Sequence, residues 1–357
     1  MIPPAPYMEW SKTRPRPAID LAGSNLLACS LDDLPGAREA VDIAGESPEG
    51  YPPLLEAIGR HSRVDPRRVA AAPGCSGANF LACAALLSTG DEVLVETPNY
   101  DPLPGAARLL RARVATFPRR FEDGYALDPG TVAAALTPRT RLVILSNPHN
   151  PSGALASEAS LRELAQLAEA RGFHVLIDEV YRDVVLENRP ETAALLSERV
   201  VVTTSSLTKA YGLASLRCGW AIASEDVAKR IRRARDVVDV WSSMPADRLS
   251  TIAFGHLPAL AARARRIVEE NSRAFAEFLS GEPKLECAPT RATLAFPRLS
   301  GVADAGPFVE RLFSETGTAV APGRFFGAPA HFRVAFGGEP SRVRAGLETI
   351  RRCLESA

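Results

Sequence analysis

The middle of the chain alternates between short apolar segments and longer segments with helical periodicity. The short, strand-like segments are Val69–Ala72, Glu92–Glu96, Arg113–Phe117, Leu142–Ser146, His174–Asp178, Val200–Thr204 and Gly219–Ala223. Stretches between them, such as Ala78–Leu87 and Glu158–Arg171, predict helices. Apolar strands without strict polar alternation are typical of a parallel sheet covered on both faces. The pattern therefore predicts an α/β fold with a mostly parallel, seven-stranded sheet.

The pattern changes after Ser224, where long Arg- and Ala-rich helical segments begin. The elements predicted there are Val227–Val240, Ala246–Leu279 with a break at Pro258, short strands between residues 285 and 336, and a closing helix Ser341–Leu354. They indicate a smaller α+β domain formed by the C-terminal part and the N-terminal arm. The predicted division is an arm packing on the small domain (1–40), a large domain (41–245), and an interdomain helix with the small domain (246–357).

Composition narrows the possible partners. The chain has 357 residues, of which 46% are hydrophobic and 24% charged, as in an ordinary globular protein. Its 42 basic and 42 acidic residues give a formal net charge of zero. Such a balance provides no general field for polyanions, so we expect neither nucleic acid nor a membrane surface as a partner. Only four of the basic residues are lysines: Lys12, Lys209, Lys229 and Lys284.

Cysteine spacing and the N-terminal residues favour a cytoplasmic location. The six cysteines show no CxxC spacing and have no nearby histidines, which argues against a disulfide framework and a metal site. The first residues contain no apolar segment typical of a secretory signal. The longest uncharged run, Val69–Gly90, contains proline and several glycines, so it predicts a strand, a turn and a buried helix rather than a membrane span.

Polar loops follow five of the predicted strands. Their sequences are PGCSGAN, TPNY, SNPHNPSG, DEVY and SSLTK, in chain order. In open α/β sheets, ligands bind in a crevice at the carboxyl ends of the strands. Five such loops indicate one shared crevice.

Lys209 and Asp178 are the residues in these loops that suggest chemistry. Most lysines are exposed, but a lysine desolvated at a strand end can act as an amine nucleophile. Asp178 ends the apolar segment FHVLID, where a carboxylate needs a hydrogen-bonding or cationic partner, and Tyr181 follows it closely. A strand-end aspartate that only caps the next turn is the alternative explanation.

A phosphate site is predicted beside them. The PGCSGAN loop joins a strand to a helix, whose first turn exposes the backbone N–H groups of Cys75, Ser76 and Gly77. It is not the GxGxxG pattern of dinucleotide-binding proteins. Arg217 can reach the same anion as a bidentate donor. With Tyr100 as an aromatic plate, this set describes a site for pyridoxal 5′-phosphate.

The sequence resembles the class I/II aminotransferases of pyridoxal-phosphate fold type I. The motifs that carry the resemblance are SNPHNPSG (146–153), DEVYRDV (178–184) and SSLTKAYGLASLRCGW (205–220). Supporting motifs are GYPPLLEAI (50–58), the segment 74–100 and PGRFFGAPAHFRVAFG (322–337). The resemblance covers almost the whole chain.

The resemblance implies roles for individual residues. Lys209 would carry the cofactor and move a proton between the substrate Cα and the cofactor. Asp178 would pair with the pyridine nitrogen, and Arg333 with the substrate carboxylate. The other cofactor contacts implied are the 3′-oxygen partners Asn150 and Tyr181, the stacking ring of Tyr100, and the phosphate ligands Cys75, Ser76, Ser206 and Arg217. Asn150 would also lie beside the substrate.

Two positions depart from the family pattern. The family usually has a tyrosine, reaching the partner subunit's cofactor phosphate, where this chain has Ala44 and Gly45. The glycine usually found two residues before the phosphate arginine is Ser215. The first departure removes one expected phosphate contact, and neither departure affects the catalytic residues.

The resemblance implies an aminotransferase that exchanges an amino group between an L-amino acid and a 2-oxo acid, assembled as a homodimer. A lyase, a decarboxylase or a cyclising enzyme on the same fold is the alternative, because substrate orientation decides which bond to Cα breaks. A regulator that uses the fold only to bind an effector is less favoured, because a basic DNA-binding domain would be expected before the fold.

Overall fold

A computed structural model describes residues 5–356 and confirms the α/β fold with a mostly parallel seven-stranded sheet. The strands of this sheet are β2 (Val69–Pro73), β3 (Glu92–Thr97), β4 (Arg113–Pro118), β5 (Thr140–Ser146), β6 (His174–Asp178), β7 (Val201–Ser206) and β8 (Cys218–Ile222). Their spatial order is β2-β8-β7-β6-β5-β3-β4. Only β8 runs antiparallel to its neighbours, β2 and β7. Each strand matches a predicted segment to within two residues at either end.

Both faces of the sheet are buried, which explains the unbroken apolar segments. Successive residues of β5 alternate between two separate clusters. Leu142 and Ile144 pack into the cluster on one face, whereas Val143 and Leu145 pack into the cluster on the other. All four side chains are fully buried. Because each face needs an apolar layer, a polar residue in the middle of such a strand would be costly.

Helices cover these faces and continue into the C-terminal part. They are α1 (Pro6–Thr13), α2 (Pro52–Ser62), α3 (Gly74–Leu86), α4 (Pro102–Leu109), α5 (Pro129–Ala135), α6 (Glu158–Arg171), α7 (Thr208–Tyr211), α8 (Glu225–Arg235), α9 (Met244–Gly255), α10 (Leu257–Ser280), α11 (Gly306–Thr316) and α12 (Pro340–Glu355). Helix α6 has the predicted bounds because Ser157 caps its start and Gly172, in the left-handed conformation, ends it.

The end of α8 and the break between α9 and α10 differ from the predicted positions. Helix α8 ends at Arg235 rather than Val240, and Arg235 forms an ion pair with Asp239 in the loop that follows. The β-branched residues of this loop are weak helix formers, and Val240 has a left-handed φ of 58°. The predicted break in the next segment falls at His256, which separates α9 from α10, and Pro258 lies in the first turn of α10.

The C-terminal part contains short strands around its own core. They are β9 (Leu285–Glu286), β10 (Leu294–Ala295), β11 (Arg298–Leu299), β12 (Thr318–Ala319), β13 (Ala321–Pro322) and β14 (Phe332–Ala335). The arm joins them, because β1 (Ile19–Asp20) pairs in parallel with β12. The division of the chain into domains at residues 40 and 245 stays a prediction. No helix within residues 5–356 combines the length and apolar character needed to cross a membrane.

Candidate active site

The carboxyl ends of the parallel strands open into a cavity of about 310 Å³. The loops after β2, β3, β5, β6 and β7 all contribute to it, as the sequence predicted. The cavity is lined by Tyr7, Met8, Ser11, Gly23, Ser24, Asn25, Cys75, Ser76, Tyr100, Leu103, Ser146, Asn150, Asp178, Val180, Tyr181, Ser206, Thr208, Lys209, Ala214 and Arg217. Every predicted site residue except Arg333 is in this lining.

Lys209 lies in the short helix α7 and reaches towards the N-terminal arm. Its Nζ donates to Asn25 Oδ1 at 2.7 Å and to Ser24 Oγ at 3.1 Å. Burial and the positive charge of Arg333 lower the pKa of the amine to about 7. A large fraction of the amine is therefore neutral near neutral pH, which is the form that acts as a nucleophile or a base.

A buried charge network holds the helix that carries Lys209. The Tyr211 hydroxyl, at the end of α7, donates to Asp183 Oδ2 at 3.0 Å. His61 Nε2 lies 2.9 Å from the same oxygen, and Arg189 pairs with the other oxygen at 2.6 Å. These partners keep the pKa of Asp183 far below its usual value despite its burial. The network fixes α7 from the side away from the cavity.

Asp178 ends β6 and is buried beneath the cavity. Its Oδ2 accepts a hydrogen bond from Asn79 Nδ2 at 2.8 Å. Its Oδ1 accepts from the backbone N–H of Val180 at 3.0 Å and lies 3.3 Å from Cys75 Sγ. Burial raises the pKa of Asp178, and these hydrogen bonds oppose that rise because they stabilise the charged form.

The phosphate site expected at the start of α3 is shaped by glycine and arginine. Gly74 begins the helix with a φ of +76°, and a Cβ there would lie 2.2 Å from Arg217 Nη2. Pro73 provides no side-chain cap, so the first backbone N–H groups of the helix are not capped by it. Ser76 and Ser206 line the cavity at the same place. Free N–H groups, hydroxyls and a guanidinium together suit a phosphate dianion.

The aromatic and amide residues lie around the middle of the cavity. Tyr181 is buried, and its hydroxyl donates to Ser24 Oγ at 2.8 Å. The Tyr100 hydroxyl lies 3.1 Å from Met8 Sδ in the arm helix α1. The backbone N–H of Asn150 donates to Ser146 Oγ, and its side-chain oxygen accepts from Arg333.

Arg333 lies in β14 and does not line the cavity. Its side chain is fully buried, so it is not a surface arginine. Nη1 donates to Asn150 Oδ1 at 2.9 Å, and Nη2 donates to the Tyr7 hydroxyl at 2.6 Å and the Ala22 carbonyl at 2.8 Å. Its Nε has no partner among residues 5–356. Tyr7 and Asn150 thus separate the guanidinium from the cavity.

A buried ion pair supports the loop that carries Asn150. Glu96 and Arg119 are both fully buried and lie 2.9 Å apart between Oε2 and Nη1. The other Glu96 oxygen accepts from the backbone N–H and the hydroxyl of Ser146, each at 2.6 Å. Ser146 in turn accepts from the Asn150 backbone. Removing one member would leave an unpaired buried charge.

Sequence reasoning missed several residues that contact the predicted ones. Ser24 and Asn25 bind Lys209, and Tyr7 binds Arg333. These three lie in the arm, far from the motifs in sequence, and no local pattern marks them. Asn79, which binds Asp178, is the last residue of the PGCSGAN motif and lies in the first turns of α3, next to the apolar residues of that helix. Its position among buried residues was an available signal.

Comparison with known proteins gives the class of this protein. A family model described as "Aminotransferase class I and II" matches residues 46–350. The chain therefore belongs to the class I and II aminotransferases, whose cofactor is pyridoxal phosphate, and is an enzyme of the transferase class.

Particular relatives within this family differ in activity. Capreomycidine synthase of Streptomyces vinaceus is 32% identical over 98% of this chain and 93% of its own length. A probable aspartate/prephenate aminotransferase of Thermus aquaticus is 28% identical over 86% of this chain and 83% of its own. The crystal structure of the PLP-dependent cyclase OrfR superposes with a TM-score of 0.89 at 28% identity, covering 99% of this chain and 97% of that one.

The residues present fit the family's cofactor. A buried carboxylate, a partly neutral amine, an aromatic ring and an uncapped helix N-terminus with an arginine beside it face one cavity. Each of these groups matches one chemical part of pyridoxal phosphate: a basic ring nitrogen, an aldehyde, a flat ring and a phosphate.

Proposed function

We propose that this enzyme transfers an amino group between an L-amino acid and a 2-oxo acid. The observation that carries the proposal is that one cavity is lined by the Lys209 amine, the Asp178 carboxylate and Asn150. The side chain of Asn150 in turn binds Arg333. When bound, pyridoxal phosphate withdraws electrons from the substrate Cα, which makes the Cα proton removable.

In this proposal Lys209 holds the cofactor and moves the proton. Its lowered pKa of about 7 makes the amine a suitable base at neutral pH, because general bases work best when their pKa lies near the working pH. Ser24 and Asn25 accept hydrogen bonds from the amine and direct it. Asp178 faces the pyridine nitrogen and keeps it protonated, and Tyr181 and Asn150 bind the 3′-oxygen.

Cysteine 75 and its neighbours bind the phosphate. The proposed ligands are the backbone N–H groups of Cys75 and Ser76, the hydroxyls of Ser76 and Ser206, and the guanidinium of Arg217. Tyr100 stacks on the ring. Burial raises the pKa of the Cys75 thiol well above its usual value, so this side chain stays a neutral donor and is no nucleophile.

Arg333 and Asn150 select α-carboxylates. A planar guanidinium binds a carboxylate through two parallel hydrogen bonds. Asn150 occupies Nη1, whereas Nε has no partner among residues 5–356, so the substrate carboxylate replaces the Tyr7 hydroxyl on Nη2 and accepts its second hydrogen bond from Nε. Asn150 remains beside the bound substrate. The N-terminal arm therefore takes part in substrate binding.

We further propose a cytoplasmic homodimer. Exposed apolar side chains lie on two segments that flank the junction of α8 and α9: Val41, Ile43, Val237, Val238, Val240 and Trp241. The first segment contacts both helices, because Asp42 accepts from Arg248 and Glu49 pairs with Arg233. Exposed apolar side chains on two segments that contact the same helices suit a second copy of the chain.

The absorbance of the cofactor shows whether the enzyme takes the amino group from an amino acid, which is the first half of the proposed reaction. We would add single amino acids to the reconstituted enzyme without any oxo acid and follow the absorbance of the pyridoxamine form. The proposal predicts that one or more donors convert the cofactor stoichiometrically and that a 2-oxo acid reverses the conversion. Lys209→Arg, which keeps a cation in α7, should convert none. A wild type that never accumulates the pyridoxamine form contradicts the proposal.

A cyclising enzyme is the second candidate. It is favoured by the similarity to capreomycidine synthase over nearly the full length and to the cyclase OrfR. An amino acid labelled with nitrogen-15 at its α-amino group separates the two. An aminotransferase passes the label to the oxo acid, whereas a cyclising enzyme keeps it in a product made without any oxo acid.

A further inference from the structure

A buried polar chain behind the cavity links β7, α3 and β6. Thr204 Oγ1 donates to Asn79 Oδ1 at 2.5 Å, and Asn79 Nδ2 donates to Asp178 Oδ2 at 2.8 Å. All three side chains are buried. They lie between apolar residues of α3 and the sheet, where a polar side chain is costly unless its hydrogen bonds are made.

The chemistry of these three side chains determines the direction in which the hydrogen bonds are donated. A carboxylate only accepts hydrogen bonds, so Asn79 must face Asp178 with its NH₂ group. Its oxygen then points to Thr204, whose hydroxyl is a donor in that direction. The opposite orientation of the amide would place two acceptors against each other. Asp178 therefore fixes which way the Asn79 amide faces, and the Thr204 hydroxyl holds the amide there by donating to its oxygen.

We propose that Asn79 is a positioning residue for the cofactor: Thr204 holds its amide in place, and the amide aims the Asp178 carboxylate at the pyridine nitrogen. Asn79 and Thr204 do not line the cavity, so they act only through Asp178. The other hydrogen-bond donors to Asp178 are the Val180 backbone and the Cys75 thiol. Asn79 is the side-chain amide among them, and its bond is the shortest.

The charge of Asp178 depends on this amide. The titratable groups that face the carboxylate are Cys75 from α3, Lys209 from α7 and Tyr181 from the loop after β6. Burial raises the pKa of Cys75 well above its usual value and that of Tyr181 to about 12, so both are neutral at pH 7. Lys209, whose pKa is lowered to about 7, is only partly charged near neutral pH. The Asn79 donor then becomes more important for an ionised Asp178.

The test compares two ring systems in apo-protein variants. Asn79→Leu keeps the side-chain size and removes the amide. Losing a hydrogen bond to a charged group should weaken pyridoxal phosphate binding about ten- to hundredfold. A carbocyclic analogue with CH in place of the ring nitrogen gains nothing from an ionised Asp178. Its affinity should therefore change less than about twofold. Equal weakening of both ligands would show a merely structural role and overturn the proposal.

Thr204 supplies a second and independent variant. Thr204→Val removes the hydroxyl at nearly constant volume, and it should weaken pyridoxal phosphate binding several-fold while sparing the analogue. In the Asn79→Leu background the same change should have no further effect, because there is no amide left to hold. Additive effects of the two substitutions would contradict the proposal that Thr204 acts on Asp178 through Asn79. If Asn79→Leu does not fold, Thr204→Val alone decides between these outcomes.

Cys83→Ala is the matched control. Cys83 lies on the same helix, is fully buried, and belongs to the apolar cluster under the sheet. Its replacement should lower the melting temperature of the apo-protein without changing the ratio of the two affinities. A changed ratio in this control would show that any disturbance of α3 moves Asp178, and it would overturn the specific role of Asn79.

Discussion

The Lys209 amine shows how a single residue acquires its chemistry from its surroundings. The side chain is an ordinary primary amine, and only burial together with Arg333 lowers its pKa to about 7. The sequence indicated this lysine as the candidate because it ends a polar step after a buried strand. The sequence did not indicate its hydrogen-bond partners, since Ser24 and Asn25 are brought to it from a distant part of the chain.

The lowered pKa of Lys209 predicts a pH-dependent stability of the apo-protein. The folded state holds the amine neutral above about pH 7, whereas the unfolded chain keeps its proton up to its ordinary pKa. The unfolded state thus binds more protons in this window, so this residue adds stability as pH rises, up to about 1.4 kcal/mol per pH unit. Urea unfolding of wild type and Lys209→Met between pH 7 and 9 checks this. The gap between wild type and variant should move in favour of wild type, and a gap independent of pH contradicts the prediction.

Arg333 predicts discrimination by the α-carboxylate. Arg333→Lys keeps the charge and loses the planar pair of donors. Amino-acid binding should weaken about ten- to hundredfold, whereas binding of the matching amines without a carboxylate should change only slightly. Dissociation constants from cofactor absorbance measure both. Arg324→Lys, a partly exposed arginine near the same strand, is the control and should change neither. Equal losses for both ligand classes would indicate a structural arginine.

At the scale of elements, the sequence was informative where local rules dominate. Unbroken apolar segments gave the seven strands, and capping residues gave α6 its bounds. The predicted end of α8 at Val240 was wrong, because the apolar periodicity of the sequence continues into a loop that leaves Val237 and Val238 exposed. Periodicity alone does not distinguish a helix packed on a core from an apolar loop at a surface.

The turn from β2 into α3 is the element that makes the phosphate site. Gly74→Ala would place a methyl group against Arg217 and force an unfavourable left-handed φ. Cofactor affinity should fall at least about tenfold, because the arginine must leave its place beside the helix N-terminus. Fluorescence titration of the apo-protein measures it.

Gly90→Ala is the control for this turn. Gly90 also has a positive φ, of +89°, but a Cβ there meets no atom within 4 Å. Both variants should lose similar stability, of order 1 kcal/mol, and only Gly74→Ala should lose cofactor. A comparable loss of affinity in Gly90→Ala would show that general destabilisation, and not the displaced arginine, is the cause.

At the scale of the whole molecule, the site is formed by parts far apart in the chain. The arm and the loops of the sheet line one cavity, and strand β14 lies behind it, where Arg333 bonds to Tyr7 and Asn150 of the lining. The family resemblance brought the sheet loops and Arg333 together in advance through matched motifs, but it did not include the arm. The roles of Tyr7, which lies outside the motifs, and of Asn79, which lies inside one, needed the structure, since they depend on long-range contacts.

The absence of the family tyrosine belongs to this scale because it concerns two subunits. Ala44 and Gly45 are exposed and carry no hydrogen-bonding side chain. In a homodimer, Ala44→Tyr should restore a hydrogen bond to the partner's cofactor phosphate and slow loss of the pyridoxamine form in dialysis by about tenfold or more. Ala44→Phe is the control, with the ring but no hydroxyl. Equal loss from both variants would mean that another group already fills this place.

The central claim is that Lys209 carries the cofactor, and the small number of lysines makes it directly measurable. Borohydride reduction of the holoenzyme fixes the cofactor on whichever amine holds it, and peptide mapping by mass spectrometry locates the label. The structure places Lys209 at the cavity beside Asp178, and the label should appear there in a one-to-one ratio with the chain. A label on Lys12, Lys229 or Lys284 with Lys209 unmodified would contradict the account.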